Sequence, residues 1–234
     1  MLPGEEADLV FTDPPYGVGY RGGAVPVAGD DLGAEGTRRL VAAALRVLPL
    51  RPLGAFYVCA PAGAAQTAFR LALSDAGLPL RQELVWVKEH FVLGHADYHW
   101  RHESILYGWK PAGGGDRGAK GRHHFYPPGG RRTEDTVWHV ARERVNASER
   151  PHPTMKPVAL ALRALMNSSR LGDVVFDGFG GAGATLLASE EAKRRCRLME
   201  LDPRHCDTVI GRWEARVGIA ARLTLRTTTV VAPV

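Results

Sequence analysis

The chain reads as an α/β protein whose strands form a parallel sheet with helical crossovers. Three observations lead there. Over the first 77 residues, short apolar runs alternate with helical periodicity, the strand, helix, strand, helix rhythm of a crossover-linked sheet. Two apolar, β-branched runs, Ala7 to Thr12 and Asp173 to Asp177, each end in a loop of unusual composition, and the carboxyl edge of an α/β sheet is where ligands bind. Finally, 234 residues with 45% apolar and 24% charged content suit one full domain with a sizeable core and are short for two. One domain over 1–234 is expected, divided into a first half at 1–110, an insertion at 111–135 and a second half at 136–234.

Taken in order, Ala7-Asp8-Leu9-Val10-Phe11-Thr12 is a buried strand running into Asp13-Pro14-Pro15-Tyr16. The glycine-rich Gly17 to Gly23 is expected to be a mobile loop over whatever Tyr16 touches. Thr37 to Leu48 carries Leu40, Val41, Ala44, Leu45 and Leu48 at helical spacing, and Pro49 with Pro52 stops it. Gly54 to Ala60 is a short buried strand, and Ala62 to Ala76 a helix ended by Gly77. Leu84 to Lys88, Ser104 to Trp109 and Thr136 to Val140 read as strands, and Val158 to Ser168 as an amphipathic helix. Asp173 to Asp177 is a strand, its glycine-rich turn leads into a helix through Ala192, and Arg197 to Glu200 is a strand.

Composition removes several classes of function. Cys59, Cys196 and Cys206 form no Cys-x-x-Cys pair and no even disulfide framework, which suits a reducing cytoplasm. No apolar run approaches the length that crosses a bilayer, and no secretory leader is visible. A soluble cytoplasmic protein with no membrane partner is therefore expected. The histidines 95, 99 and 102 raise the idea of a metal site, but their strand-like flanks would not bring them together, and no metal is expected. Net charge is +5 with a pI near 9.3, which matters where it is concentrated. From Lys110 to Arg132, the cations Lys110, Arg117, Lys120, Arg122, Arg131 and Arg132 face one acid, Asp116, and interleave with His123, His124, Phe125 and Tyr126. Alone such a run is a solvated loop; beside a site that grips a ring it suits nucleic acid, cations for phosphates and aromatics for bases.

Asp13-Pro14-Pro15-Tyr16 has the equipment for that grip. Asp13 offers acceptor oxygens, the prolines stiffen the backbone and remove its N–H donors, and Tyr16 offers a flat face with a polar tip. The tetrapeptide by itself also reads as an ordinary turn. The second signal is Asp177-Gly178-Phe179-Gly180-Gly181-Ala182-Gly183, followed about 20 residues on by Glu200. Strand, glycine turn, helix and a later acid form a nucleotide-type element in which the acid holds a ribose hydroxyl. The phosphate-loop pattern and its lysine are absent, so a nucleoside-like ligand such as S-adenosylmethionine is favoured over ATP.

These stretches, with His152-Pro153-Thr154-Met155-Lys156-Pro157 between them, resemble the amino-DNA methyltransferases of the β class, in which the catalytic half precedes the cofactor half. Tyr98 to Glu103 and Leu106 to Lys110 further resemble a phage and bacterial branch often joined to a ParB-like domain. The resemblance implies a Rossmann-like, doubly wound, seven-stranded sheet and methyl transfer from S-adenosylmethionine to an exocyclic amine of DNA, as in restriction–modification systems. Adenine N6 is expected from the Asp at the head of the first motif, with cytosine N4 as the alternative. By the same resemblance, Asp13 and the Pro14 carbonyl would accept hydrogen bonds from the amine, Pro15 would stiffen the turn, and Tyr16 would stack on the extruded base. Asp177, Phe179, Gly180, Gly181, Gly183 and Glu200 would hold the cofactor, with Thr154 and Lys156 on its other flank. Arg117, Lys120, Arg122, Arg131 and Arg132 would bind DNA. The family usually has proline at Gly178 and serine at Ala182. It also has a further strand and a Gly-Asp turn ahead of the first motif, and with twelve residues before Asp13 one N-terminal strand is expected to be absent. A truncated, non-catalytic DNA-binding remnant is thus a rival reading.

Overall fold

The structure, a computed structural model, describes residues 4–19, 28–91, 97–113, 134–143 and 155–224. Seven strands form one sheet in the order β5-β3-β4-β2-β1-β6-β7. They are β1 (Ala7–Thr12), β2 (Leu50–Ala60), β3 (Leu80–Val87), β4 (His102–Trp109), β5 (Val137–His139), β6 (Val174–Asp177) and β7 (Arg195–Leu198). The helices are α1 (Gly33–Arg46), α2 (Gln66–Asp75), α3 (Val158–Ser168), α4 (Ala184–Glu191) and α5 (Pro203–Val217).

β1 and β6 are buried along their whole length, which is why they read as continuous apolar runs. They pair in parallel as the fifth and sixth strands of that order, and β2 pairs with β1 and β7 with β6, also in parallel. From β1 the chain winds outward one way and from β6 the other, so the strand order reverses between them. One face is covered by Val41 and Leu45 of α1 with Phe69 and Leu73 of α2. On the other face Leu160 and Leu165 of α3 and Ala188 of α4 pack with Trp86 and Trp138. The sheet is therefore doubly wound, and it holds seven strands even with so short a lead into β1.

One expectation is corrected. The sheet is mixed, because β4 runs antiparallel to both β2 and β3. Residues 88–101 join β3 to β4 without a helix among the described residues, and a parallel return would need a crossover. As a result β4 ends at the edge away from the carboxyl ends of β1, β2 and β3. Lys110 is tied there by its ammonium donating to the Leu50 carbonyl at 2.6 Å. β5 pairs in parallel with β3 and so starts at that same edge. The insertion 111–135 is consequently anchored at both ends opposite Asp13.

Boundaries shift by a few residues. α1 begins at Gly33 rather than Thr37, and α2 at Gln66 after a turn with Gly63 at φ 76°. β7 ends at Leu198, which leaves Glu200 in the following turn. α5, which apolar periodicity does not announce, starts on the Asp202 cap with Pro203 in its first turn and ends at Gly218, φ 71°.

Candidate active site

The two loops predicted from the sequence meet where the strand order reverses, the usual ligand position in such sheets. They are joined directly. The Thr12 hydroxyl, at the end of β1, donates to Asp177 Oδ1 at the end of β6 over 2.9 Å.

Around Asp13 lies a compact cluster of buried charge. Lys156 Nζ donates to Asp13 Oδ2 at 2.7 Å and stands 3.2 Å from Glu103 Oε2. Glu103 Oε1 meets Lys88 Nζ at 2.5 Å, and the Tyr16 hydroxyl donates to Glu103 Oε2 at 2.8 Å. Lys88 and Lys156 are both buried. Two carboxylates and two ammonium groups thus alternate, each with an opposite charge beside it, which is how buried charges persist. Burial pushes the Asp13 carboxyl above its ordinary value, and the adjacent Lys156 opposes that rise in part. Burial also works against the Lys156 ammonium, yet Asp13 and Glu103 hold its pKa above the usual lysine value. Glu103, although desolvated, is drawn down to about 2 by Lys156 and Lys88. Asp13 Oδ1 differs from its neighbours: it is buried and has no hydrogen-bond partner among the described residues.

Tyr16 is held at three points. Its backbone N–H and that of Gly17 both donate to Asp30 Oδ1, at 3.0 and 2.9 Å. Its ring meets Phe69 edge-on at 5.8 Å, and Lys156 Nζ lies 5.0 Å from the ring centre. Gly17 is required by the turn: its φ is 71°, and a Cβ there would come within 1.8 Å of Thr37 Oγ1.

The second loop is satisfied without cations. Asp177 accepts from Thr12, from the Phe179 N–H at 3.0 Å and from the Thr185 hydroxyl at 2.6 Å. Burial pushes it up to about 6, with those donors opposing the shift. Glu200 Oε2 accepts from the Gly181 N–H at 2.7 Å, and Oε1 from the Leu201 and Asp202 N–H groups at 2.9 Å. Gly180 lets the turn lie against β7, since a Cβ there would be 2.3 Å from Leu198 Cδ2. Gly183, at φ 80°, is the left-handed cap that opens α4. A cavity of about 190 Å³ lies between α1, whose Val41, Ala44 and Leu45 line it, and the ends of β1 and β6, where Pro14, Phe176 and Phe179 line it.

The structure therefore brings together Asp13, Pro14, Tyr16, Asp177, Phe179 and the Gly180 to Gly183 turn, with Glu200 closing the turn. Lys156, expected on the cofactor flank, contacts Asp13 and Glu103. Thr154, Arg117, Lys120, Arg122, Arg131 and Arg132, with His95 and most of the Gly17 to Gly23 loop, lie outside the described residues. Three site residues escaped the sequence reading: Glu103, Lys88 and Asp30. The available signal was an acid and a lysine at the ends of otherwise apolar strands.

A profile of the DNA methylase family (N6_N4_Mtase) matches residues 7–211, from β1 into α5. The chain belongs to this DNA methylase family. The methylase is 27% identical over 215 residues to the DNA adenine methyltransferase YhdJ of Escherichia coli K12, an alignment covering 80% of this chain and 70% of that protein. Its fold is similar to that of PvuII DNA methyltransferase (cytosine-N4-specific), with a TM-score of 0.70, 16% identity and coverage of 89% of this chain and 80% of that one. It is similar also to the fold in the crystal structure of an M1.HpyAVI–SAM complex, with a TM-score of 0.62, 19% identity and coverage of 92% and 90%. In this methylase, no helix among the described residues is long and apolar enough to cross a membrane.

Proposed function

We propose that this DNA methylase transfers a methyl group from S-adenosyl-L-methionine to the exocyclic N6 amine of adenine in double-stranded DNA, acting on an extruded base. The observation that carries this reading is Asp13 Oδ1, a buried acceptor without a partner among the described residues, beside Pro14 and the Tyr16 ring. A buried acceptor of that kind costs about 1–3 kcal/mol until a donor arrives, and an exocyclic amine supplies one.

The second loop fits S-adenosyl-L-methionine. The apolar cavity between Pro14 and Phe179 suits the faces of an adenine ring. Glu200 is fixed by three backbone N–H groups at the place a ribose diol would be read, and the glycine turn leaves room for an amino-acid end. Bound there, the cofactor supplies an electrophilic methyl group. Asp177 and Phe179 hold the turn, Gly180, Gly181 and Gly183 shape it, and the family resemblance adds Thr154 and Lys156 as cofactor contacts.

Extrusion of a base costs a few kcal/mol; stacking on Tyr16 returns roughly 1–3 kcal/mol, and phosphate contacts by Arg117, Lys120, Arg122, Arg131 and Arg132 supply the rest. Asp13 and the Pro14 carbonyl accept hydrogen bonds from the two amine N–H groups, which favours a tetrahedral nitrogen and stabilises its developing positive charge. The order of the loops supports the β-class assignment and the halves 1–110 and 136–234. A ParB-like partner domain is suggested only by the resemblance of Tyr98 to Glu103 and Leu106 to Lys110 to a phage and bacterial branch of the family. N4-cytosine is the second reading, favoured by a family profile that spans both amines.

The test is transfer of labelled methyl to unmodified DNA, digestion to nucleosides and mass spectrometry, with Asp13→Ala in parallel. N6-methyladenine, absent with Asp13→Ala, is expected. N4-methylcytosine would move the target base, and bound DNA without label would favour the non-catalytic rival.

A further inference from the structure

Residues 88–101 leave the sheet at the edge that carries Asp13 and return into β4 just before Glu103. Three large aromatics of this connection stand in solvent: Phe91 is 53% exposed, Tyr98 90% and Trp100 50%. His99 is exposed beside them. Phe91 and His99 are stacked at 5.0 Å with 13° between their planes, and Trp100 meets His102 edge-on at 5.6 Å. The Trp100 ring also closes over Gly63 after β2, so that a Cβ on Gly63 would be 3.1 Å from it. Lys88 N–H donates to the Arg101 carbonyl at 2.9 Å and Arg101 Nε to the Lys88 carbonyl at 3.1 Å, closing the neck of the loop. Single exposed aromatics are ordinary; two ring pairs, Phe91 with His99 and Trp100 with His102, and the neighbouring exposed Tyr98 concentrated on one connection at a ligand-binding edge form a patch with a use. Neither the Asp13 cluster nor the cofactor turn employs them.

We infer that Phe91, Tyr98, His99 and Trp100 form a second nucleic-acid contact, a stacking surface for the bases that border the extruded target. The inference rests on the DNA-methylating reading above and adds a surface to it. Continuity favours this occupant: Trp100 touches His102, and the next residue, Glu103, accepts from the hydroxyl of Tyr16. Extruding one base deprives its neighbours and its former partner of a stacking face, and exposed rings replace that face whatever the sequence. Among the described residues, this connection is an aromatic-bearing element that starts beside the target.

The test uses the full chain with Tyr98→Ala/Trp100→Ala together, and Tyr98→Ser alone as a variant whose exposed position leaves folding intact. Affinity for a duplex oligonucleotide is measured over a range of salt, alongside S-adenosyl-L-methionine binding. Stacking predicts a Kd about tenfold weaker in the double variant and about threefold weaker in Tyr98→Ser. The slope of log Kd against log salt stays as in the wild type, since no phosphate contact is lost. Unchanged duplex affinity in both variants overturns the proposal, as does a loss that appears only as a reduced salt slope. Wild-type binding without methyl transfer would sink the proposed activity and still read this surface; wild type that neither binds nor methylates DNA overturns both.

Discussion

The same sheet edge carries two acid-bearing loops that solve burial in opposite ways. At Asp177 and Glu200 the carboxylates are met by hydroxyls and backbone N–H groups, six residues supplying donors that the fold itself fixes in place. At Asp13 and Glu103 the partners are the ammonium groups of Lys156 and Lys88 on long side chains, and one oxygen is left over. A loop whose acids are saturated by backbone is a rigid mould for a ligand. A loop whose acids are balanced by side-chain cations, with an acceptor in reserve, keeps its hydrogen-bonding capacity for something that arrives later.

Substitutions sharpen the contrast. The largest effect is expected from Asp13→Asn, which keeps the shape and puts a donor where an acceptor is needed; kcat should fall by about 100-fold or more, while affinities for DNA and cofactor stay within about threefold. Next comes Lys156→Gln. Without that ammonium the carboxyl of Asp13 faces Glu103 with one fewer counter-charge, so its pKa rises further. A carboxylate that must be ionised to accept from the amine is lost as pH falls through its pKa. The acid limb of kcat/KM should therefore move to higher pH, with about a tenfold loss near pH 6 and recovery in more alkaline buffer; an unmoved limb would separate Lys156 from Asp13. On the other loop, Glu200→Gln should weaken S-adenosyl-L-methionine binding about tenfold by calorimetry and leave kcat at saturation within about threefold. The smallest change is expected from Tyr16→Phe, which removes the hydroxyl bonded to Glu103 and keeps the ring; steady-state rates should drop about two- to fivefold. A loss as great as that of Asp13→Asn would mean the hydroxyl, rather than the ring face, is what the reaction uses.

How far the sequence reveals these loops depends on what buries each residue. β1 and β6 are legible because both faces are covered, and α3 because Leu160, Ala161, Ala164 and Leu165 form one buried stripe. α5 is not, since Val209 alone is buried and its periodicity is faint; only the caps Asp202 and Gly218 announce it. The direction of β4 is set by the connection 88–101 and leaves no trace in β4 itself. Both loops could be read from residue types, Asp-Pro-Pro-Tyr and a glycine turn with a later acid. Glu103 and Lys88 are harder to read, because charged residues at strand ends ordinarily face water, and Glu103 is drawn inward by Tyr16 and Lys156, which lie far from it in the chain. Lys156 was visible, but its assignment to Asp13 depends on packing between segments more than 140 positions apart.

The hydrogen bond from Thr12 to Asp177 makes the floor of one ligand chamber part of the wall of the other. Ordering either loop then removes some of the entropy that the second ligand would otherwise have to overcome, so occupancy on one side should favour occupancy on the other. Thermodynamic reciprocity requires the two enhancements to be equal: the factor by which DNA tightens S-adenosyl-L-methionine should match that by which the cofactor tightens DNA. Thr12→Val, which keeps the shape and cuts the link, should bring both factors toward one in paired calorimetric titrations.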